Sequence, residues 1–494
     1  MLVDMKKLKT YIYNMVCGMA VVMSLFSCTP DWQDEMEMDF SRPSVNPGNR
    51  VVSQETRNVM LLYSAGFNSL TSYLTEDIED LESGWLPGKN RNDDVVLVYS
   101  HFPESPGKYS VPSSPVLARL YAGPEGEAMA DTLIVYDGSV VSSSPAQLNE
   151  VLSYVKDAFP AAGYGMVFSS HATGYLPVGF YQKPDSYIYK GNVATQMSLD
   201  GYGAVAVPFV ELSSDPGLPA VKSIGQDQVG AIGQRVSYEM DIADFAEAIP
   251  MELDYILFDA CLMGGIEVAY ELAGKCNLIA FSQAEVLAEG LNYSTITSHL
   301  IKEKEMTDMV SVCDDYFQQY DQKTGAYRSA TISLVDCDKL EPVADVCREI
   351  FSAHREGLAS IEPQKVQRFY RSSYHWFYDL ESIVTEAGAT EEEIASLHNA
   401  LDQCVLYKGH TPEFMSDFAI TTFSGFRLSG ISTSSADRLI NSNICLSFIC
   451  TPPGCSSSQP FSLMLYSPWY GPYWDSSEAF WQSPYWYSLQ IHAY

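Results

Sequence analysis

"YILFDACLMGGIEVAYEL", residues 255–272, decides the fold. "YILFDA" is a short, nearly continuous apolar run of strand length, and "IEVAYEL" spaces its apolar residues as a helix does. A strand buried on both faces that feeds a helix is the unit of a parallel sheet covered on two sides. Cys261 and Asp259 sit at the joint. Cys261 is either a nucleophile displayed at a strand end or one more thiol buried in an apolar stretch.

The same rhythm runs through the flanking sequence. "NVMLLYSAG" (58–66) and "DDVVLVYS" (93–100) are strands, and "NSLTSYLTEDIEDLES" (68–83) is an amphipathic helix. "VLARLYA" and "TLIVYDG" read as a hairpin pair. "SPAQLNEVLSYVKDAFP" is a helix opened by Ser-Pro and closed by Pro160. "YGMVFSSHATGYLP" is a strand that ends at His171, and "NLIAFSQAE" is another strand. After a long polar interval, "SYEMDIADFAEAIP" reads as helical. Beyond about residue 300, "TDMVSVCDDYFQQYDQ", "LEPVADVCREIFSAHREGL" and "EEEIASLHNALDQCVLY" read as helices around one strand, "SATISLVD". The expected architecture is α/β, a mostly parallel sheet between helical layers, with a helical or mixed C-terminal region.

Ligands of open parallel sheets bind beyond the carboxyl ends of the strands. His171 and Cys261 each follow such an end, so adjacent strands would bring imidazole and thiol together at one sheet edge. That pairing suits nucleophilic catalysis, the thiolate attacking a carbonyl and the imidazole moving protons. The pattern further predicts a helix starting at Cys261 or just after, whose N-terminus would favour the thiolate and face an oxyanion. The plainer alternatives are a core cysteine and a loop histidine.

Composition narrows the field. The chain has 494 residues, enough for two to four domains, with a net charge of −33 from 62 acidic and 29 basic residues. Such a charge repels nucleic acid. Nine cysteines follow Cys28, none in paired CxxC spacing, and there is no HExxH, so structural zinc is not expected. Lys6, Lys7 and Lys9 precede an apolar stretch ending in "LFSC", Leu25–Cys28. Residues 29–55 are polar and aperiodic, a tether. The Trp- and Tyr-rich end, "YSPWYGPYWDSSEAFWQSPYWYSLQ", suits packing against a core better than stacking on sugars.

"FDACLMGGIEVAYEL" resembles the cysteine block of the clostripain family, caspase-like cysteine peptidases of clan CD. "FSSHATGYLP" resembles its histidine block, and "LLYSAGFNSLTSYLTEDIEDL" its opening strand and helix. The resemblance covers residues 57–300 clearly and runs more loosely to about 430. It implies a caspase-like α/β/α sandwich over 56–300 and a further region over 301–494. By the same resemblance Cys261 matches the nucleophile and His171 the general acid/base of a Cys-His dyad. The oxyanion site would be the backbone N–H groups of Cys261 and of Ala172, where the family usually has Gly. Asp259 matches the acid of the specificity pocket, with a helix N-cap as its alternative. Glu289 falls where a second acid is frequent, with an ordinary exposed acid as its alternative. Two carboxylates there imply peptide or protein substrates cleaved after Arg or Lys.

The interval between His171 and Cys261 is long for the family. Some relatives self-cleave in this interval after a basic residue, for which Lys190, Lys222 and Arg235 are the candidates; Lys183 is disfavoured by Pro184. A plain surface insertion is the alternative. Some members require calcium, the one cofactor left open, although no EF-hand loop is readable. "LFSC" resembles a bacterial lipobox with Cys28 as the lipidated residue, and the acidic run after it resembles export tags of Bacteroidetes lipoproteins. This implies a signal peptide over 1–28 and a lipid anchor in the cell envelope, at the outer membrane; an uncleaved anchor helix is the alternative. A catalytically inactive scaffold acting as a surface binding lipoprotein is the competing function, motivated by Ala172 and the aromatic C-terminal segment.

Overall fold

The structure, a computed structural model, describes residues 56–89, 94–176, 198–199, 205–208, 227–229, 236–301, 308–371 and 377–429. Cys28, the tether, Lys183, Lys190, Lys222, Arg235, Cys445, Cys450, Cys455 and the aromatic C-terminal segment lie outside these residues.

The chain runs from β1 (Thr56–Ala65) through α1 (Thr71–Ser83), β2 (Asp94–His101), β3 (Val116–Ala122) and β4 (Ala128–Val135). Next come α2 (Pro145–Ala158) and β5 (Ala161–Ser169), then the short strands β6 (Ser198–Leu199), β7 (Val205–Pro208), β8 (Asp227–Val229) and β9 (Val236–Glu239). It continues with α3 (Ile242–Glu247), β10 (Leu253–Asp259), α4 (Ile266–Leu272), β11 (Cys276–Phe281), α5 (Tyr293–Leu300) and α6 (Met309–Asp321). The rest comprises β12 (Thr331–Asp336), α7 (Leu340–Ala353), α8 (Arg355–Ala359), β13 (Phe377–Asp379), α9 (Leu380–Glu386), α10 (Glu391–Cys404), β14 (Val405–His410), β15 (Glu413–Phe414), β16 (Phe418–Ala419) and β17 (Arg427–Ser429).

Nine strands form one sheet in the order β14-β12-β11-β10-β5-β1-β2-β3-β4. The five central strands, β11 to β2, are mutually parallel. Antiparallel pairs flank them, β12 and β14 at one end, β3 and β4 at the other. The apolar runs of β1, β5 and β10 are buried on both faces because helices cover both. Val59, Leu61 and Tyr63 of β1 face one core with α2, α4 and α7, while Met60 and Leu62 face the other with α5 and α6. This is the expected α/β/α sandwich with a mostly parallel sheet.

Local chemistry sets several ends. Ser144 caps α2, accepting from the Gln147 N–H at 3.2 Å, with Pro145 in the first turn where its missing N–H costs nothing. Thr390 and Glu393 form a capping box on α10, worth about 1 kcal/mol.

The structure differs from the sequence reading in four places. "SYEMDIADFAEAIP" splits into β9 and a six-residue helix, and "EEEIASLHNALDQCVLY" ends in β14, where Val405 leaves the helix for the sheet. The helix through 340–358 breaks at His354. The fourth difference is at the site: α4 begins only at Ile266, and residues 260–265 form a turn. Beyond residue 300, β12 and β14 belong to the same nine-stranded sheet.

Candidate active site

β5 and β10 are neighbours, and their register sets Asp259 opposite Ser169 at the carboxyl ends. Cys261 and His171 are each the second residue after that pair. Both therefore leave the sheet at the same level from adjacent parallel strands. Alternation along β10 puts Tyr255, Leu257 and Cys261 into one core cluster, on the face covered by α5 and α6.

Cys261 opens a tight turn. Leu262 has φ +61°, a left-handed conformation that costs a residue with a Cβ roughly 1–2 kcal/mol. The turn is tied to the segment after β11: the Leu262 N–H donates to Ala284 O at 2.9 Å, and the Gly264 N–H to Ser282 O at 2.7 Å. A Cβ on Gly264 would stand 2.7 Å from the Gln283 backbone nitrogen, so only Gly permits this approach. The same segment supplies the thiol's contact. The Val286 N–H donates to Cys261 Sγ at 3.1 Å, and Val286 O lies 3.6 Å from the same sulfur. Backbone N–H on sulfur favours the thiolate. This group takes the place of the expected helix N-terminus, which the late start of α4 moves away. Beside it, Arg371 forks onto the buried Glu285, with Nε and Nη2 at 2.6 and 2.9 Å.

The His171 imidazole meets Ser69, whose hydroxyl lies 3.1 Å from Nε2. Ser69 belongs to the turn after β1. There Asn68 holds the backbone, donating to Ala65 O at 3.0 Å and accepting from the Leu70 N–H at 2.9 Å. Ala172 packs into the opposite core from Cys261.

Asp259 is fully buried, and one carboxylate oxygen accepts from Ser169 Oγ at 2.9 Å and Tyr293 Oη at 2.7 Å. It caps no helix, which disposes of that alternative. Tyr316 and Tyr320 of α6 pack edge to face nearby, 5.0 Å between centroids, and Tyr320 donates to Gly290 O at 2.8 Å. Burial, with Asp259 among the charges acting on them, pushes the hydroxyls of Tyr293, Tyr316 and Tyr320 well above their usual range. Glu289 lies on the exposed side of this tyrosine cluster and pairs with Lys323, whose ammonium stands 4.8 Å above the Tyr320 ring.

Cys261 and Asp259 have no solvent exposure and His171 only 5%. The site is closed in this state. Three contributors had no sequence signal: Val286, Ser69 and Tyr293. Each acts through a backbone group or a hydroxyl, or arrives from a distant segment. None of the six described cysteines is joined to another of the six by a disulfide. Among the described residues no group of three or more His, Cys, Asp or Glu side chains could hold a metal ion.

Residues 213–427 match the sequence profile of the clostripain family, a span that includes Asp259, Cys261 and Glu289, whereas His171 and Ala172 precede it. No curated protein matches the chain. Among solved structures, it is similar to an inactive zymogen of a C11 protease from Parabacteroides distasonis. That pair has 24% identity and a TM-score of 0.60, over 79% of this chain and 96% of that one. A secreted C11 cysteine protease from Bacteroides thetaiotaomicron is 25% identical with a TM-score of 0.58, over 78% of this chain and 96% of that one. A C11 protease of the same species, bound to an irreversible peptide inhibitor, is 20% identical with a TM-score of 0.59, over 80% and 99%. With a thiol and an imidazole at matching strand ends of the caspase-like sheet, and the family's profile spanning the cysteine block, the chain has the fold of the C11 proteases and is a cysteine peptidase similar to the clostripain family over residues 213–427.

Proposed function

We propose that the protein is an endopeptidase that cleaves after Arg or Lys through a Cys261–His171 dyad. The observation that carries this reading is the shared register: Cys261 and His171 each stand two residues beyond the Asp259–Ser169 pair on adjacent parallel strands. In the first half-reaction the Cys261 thiolate attacks the scissile carbonyl carbon, and the tetrahedral oxyanion is held by the backbone N–H groups of Cys261 and Ala172. The imidazolium of His171 passes its proton to the leaving amine as the C–N bond breaks, which leaves a thioester. Water then attacks that thioester, giving its proton to His171, and the thiolate departs. The Val286 N–H donates to the sulfur and keeps it in place between these steps.

The buried Asp259 carboxylate, with Ser169 and Tyr293 as its hydroxyl partners, supports a basic side chain before the cleaved bond. Glu289, at the outer side of the same tyrosine cluster, is the second acid. The lack of solvent access at Cys261 supports a latent form opened by self-cleavage after Lys190, Lys222 or Arg235. Cys28 is the lipid-anchor residue of a cell-envelope protein in this reading, by its place in "LFSC".

Intact mass of the purified protein against Cys261→Ala tests the activation step. Fragments with a new basic C-terminus should form only in the protein that keeps Cys261. Identical masses in a preparation that hydrolyses peptides would remove self-cleavage from the account.

A further inference from the structure

Arg427 is the largest fully buried side chain among the described residues, and two of its nitrogens converge on one carbonyl group. Its Nε donates to Leu262 O at 3.1 Å and its Nη2 donates to the same oxygen. Its own backbone N–H donates to Gly264 O at 2.9 Å, and Gly265 forms a parallel bridge with it. The guanidinium lies 3.9 Å over the Phe377 ring, and Nη1 donates to Ser429 Oγ at 2.8 Å. Glu267 supplies the opposing charge: burial pushes its carboxyl up, Arg427 pulls it back, and it accepts from the Ser429 N–H at 2.6 Å.

The residue so clamped is the one that follows the nucleophile, and it is the left-handed one. A leucine leaves that conformation readily unless its neighbours hold it. Were Leu262 to relax, its carbonyl would swing away and carry the Cys261 sulfur off the Val286 N–H. The guanidinium also touches the histidine turn. A Cβ on Gly174, itself at φ +67°, would fall 1.8 Å from Nη2 and 2.3 Å from Leu262 O. One buried cation thus sits where the cysteine turn and the histidine turn meet.

We infer that Arg427 is a positioning residue for the peptidase reaction: its fork on the Leu262 carbonyl holds the left-handed turn that aims Cys261 at His171. Arg is suited to this because it stays charged when buried and presents two donors to one oxygen in a fixed plane. The inference rests on Cys261 being the nucleophile.

The test uses the full chain and four variants, reading kcat, KM and the pH profile of Cys261 alkylation by iodoacetamide. Arg427→Met should lower kcat on the order of 100-fold, the scale of a misplaced reacting group, with KM within a few-fold. The double variant Arg427→Met/Leu262→Gly should recover about tenfold of that loss, because Gly adopts the left-handed turn without the steric penalty that a Cβ imposes. Arg427→Lys, one donor in place of a fork, should fall between. If Arg427→Met does not fold, Leu262→Val reads the same link, since a β-branched residue resists this conformation; it should lower kcat about tenfold with Arg427 in place. The inference is overturned if folded Arg427→Met keeps wild-type kcat, if Gly at 262 rescues nothing, or if Leu262→Val is fully active. Wild-type protein that neither cleaves basic peptides nor alkylates at Cys261 would instead overturn the dyad.

Discussion

Asp259 faces Ser169 across the β10–β5 ladder, and its carboxylate accepts the Ser169 hydroxyl at 2.9 Å. A carboxylate fully removed from water needs such donors, and in the proposed reading the substrate's basic side chain is a further one. Asp259→Asn keeps an oxygen for Ser169 and Tyr293 but removes the charge. It should lower kcat/KM on Arg and Lys peptides by about 10- to 100-fold, the range of a charge-assisted hydrogen bond, while melting stays near that of the parent. Unchanged selectivity among basic and neutral peptides would take Asp259 out of the pocket.

Lys323 already occupies Glu289, with 26% and 49% of the two side chains exposed. An exposed pair of this kind contributes only about 0–1 kcal/mol to stability. Lys323→Gln should therefore leave the melting temperature unchanged and lower KM for basic peptides a few-fold, by freeing the carboxylate and removing a like charge. The gain should shrink as salt is added. If KM does not move at low ionic strength, Glu289 is an ordinary surface acid.

Tyr316 is buried in α6, and its hydroxyl has no hydrogen-bond partner among the described residues. A buried hydroxyl in that state costs about 1–3 kcal/mol. Tyr316→Phe should leave stability to urea unchanged or raise it by about 1 kcal/mol. A clear loss of stability would mean that the hydroxyl is bound by a partner such as an ordered water.

Asp244, in the first turn of α3, gives a pH dependence. Burial, then the charges of Asp241 and Glu247, raise its pKa from the ordinary carboxylate value to about 6. The folded state thus holds this proton more tightly than the unfolded chain. The contribution is fully present below about pH 4, is lost as pH rises to about 6, and leaves the ionised group destabilising at pH 7. Asp244→Asn should flatten that slope, matching wild type near pH 4 and exceeding it at pH 7 in denaturant titrations. A wild-type slope that the substitution leaves intact would assign it to other groups.

Periodicity made the sheet legible. The apolar runs at 58–66 and 93–100, "YGMVFSS" and "LDYILFDA" read as buried strands, and the last two led into the histidine and the cysteine. Adjacency of those strands was a condition of the argument that β5–β10 pairing supplies. The turn was harder to read. "CLMGG" looks like a helix start because "IEVAYEL" follows it, yet Leu262 turns left-handed and Gly264 lies against the Gln283 backbone, so the helix waits for Ile266. Arg427 gave no signal at all. A contact across 165 residues leaves no periodic trace, and an arginine between Phe426 and Leu428 reads as one polar residue in a short strand.

The dyad is tested most directly by labelling with an acyloxymethyl ketone that carries Arg or Lys, followed by peptide mapping of the full chain, the Cys261→Ala variant and the His171→Ala variant. The account predicts one adduct on Cys261 in the parent, none in Cys261→Ala, and a rate reduced on the order of 100-fold or more in His171→Ala. Labelling of another cysteine, or labelling of Cys261 at the same rate without His171, would contradict it.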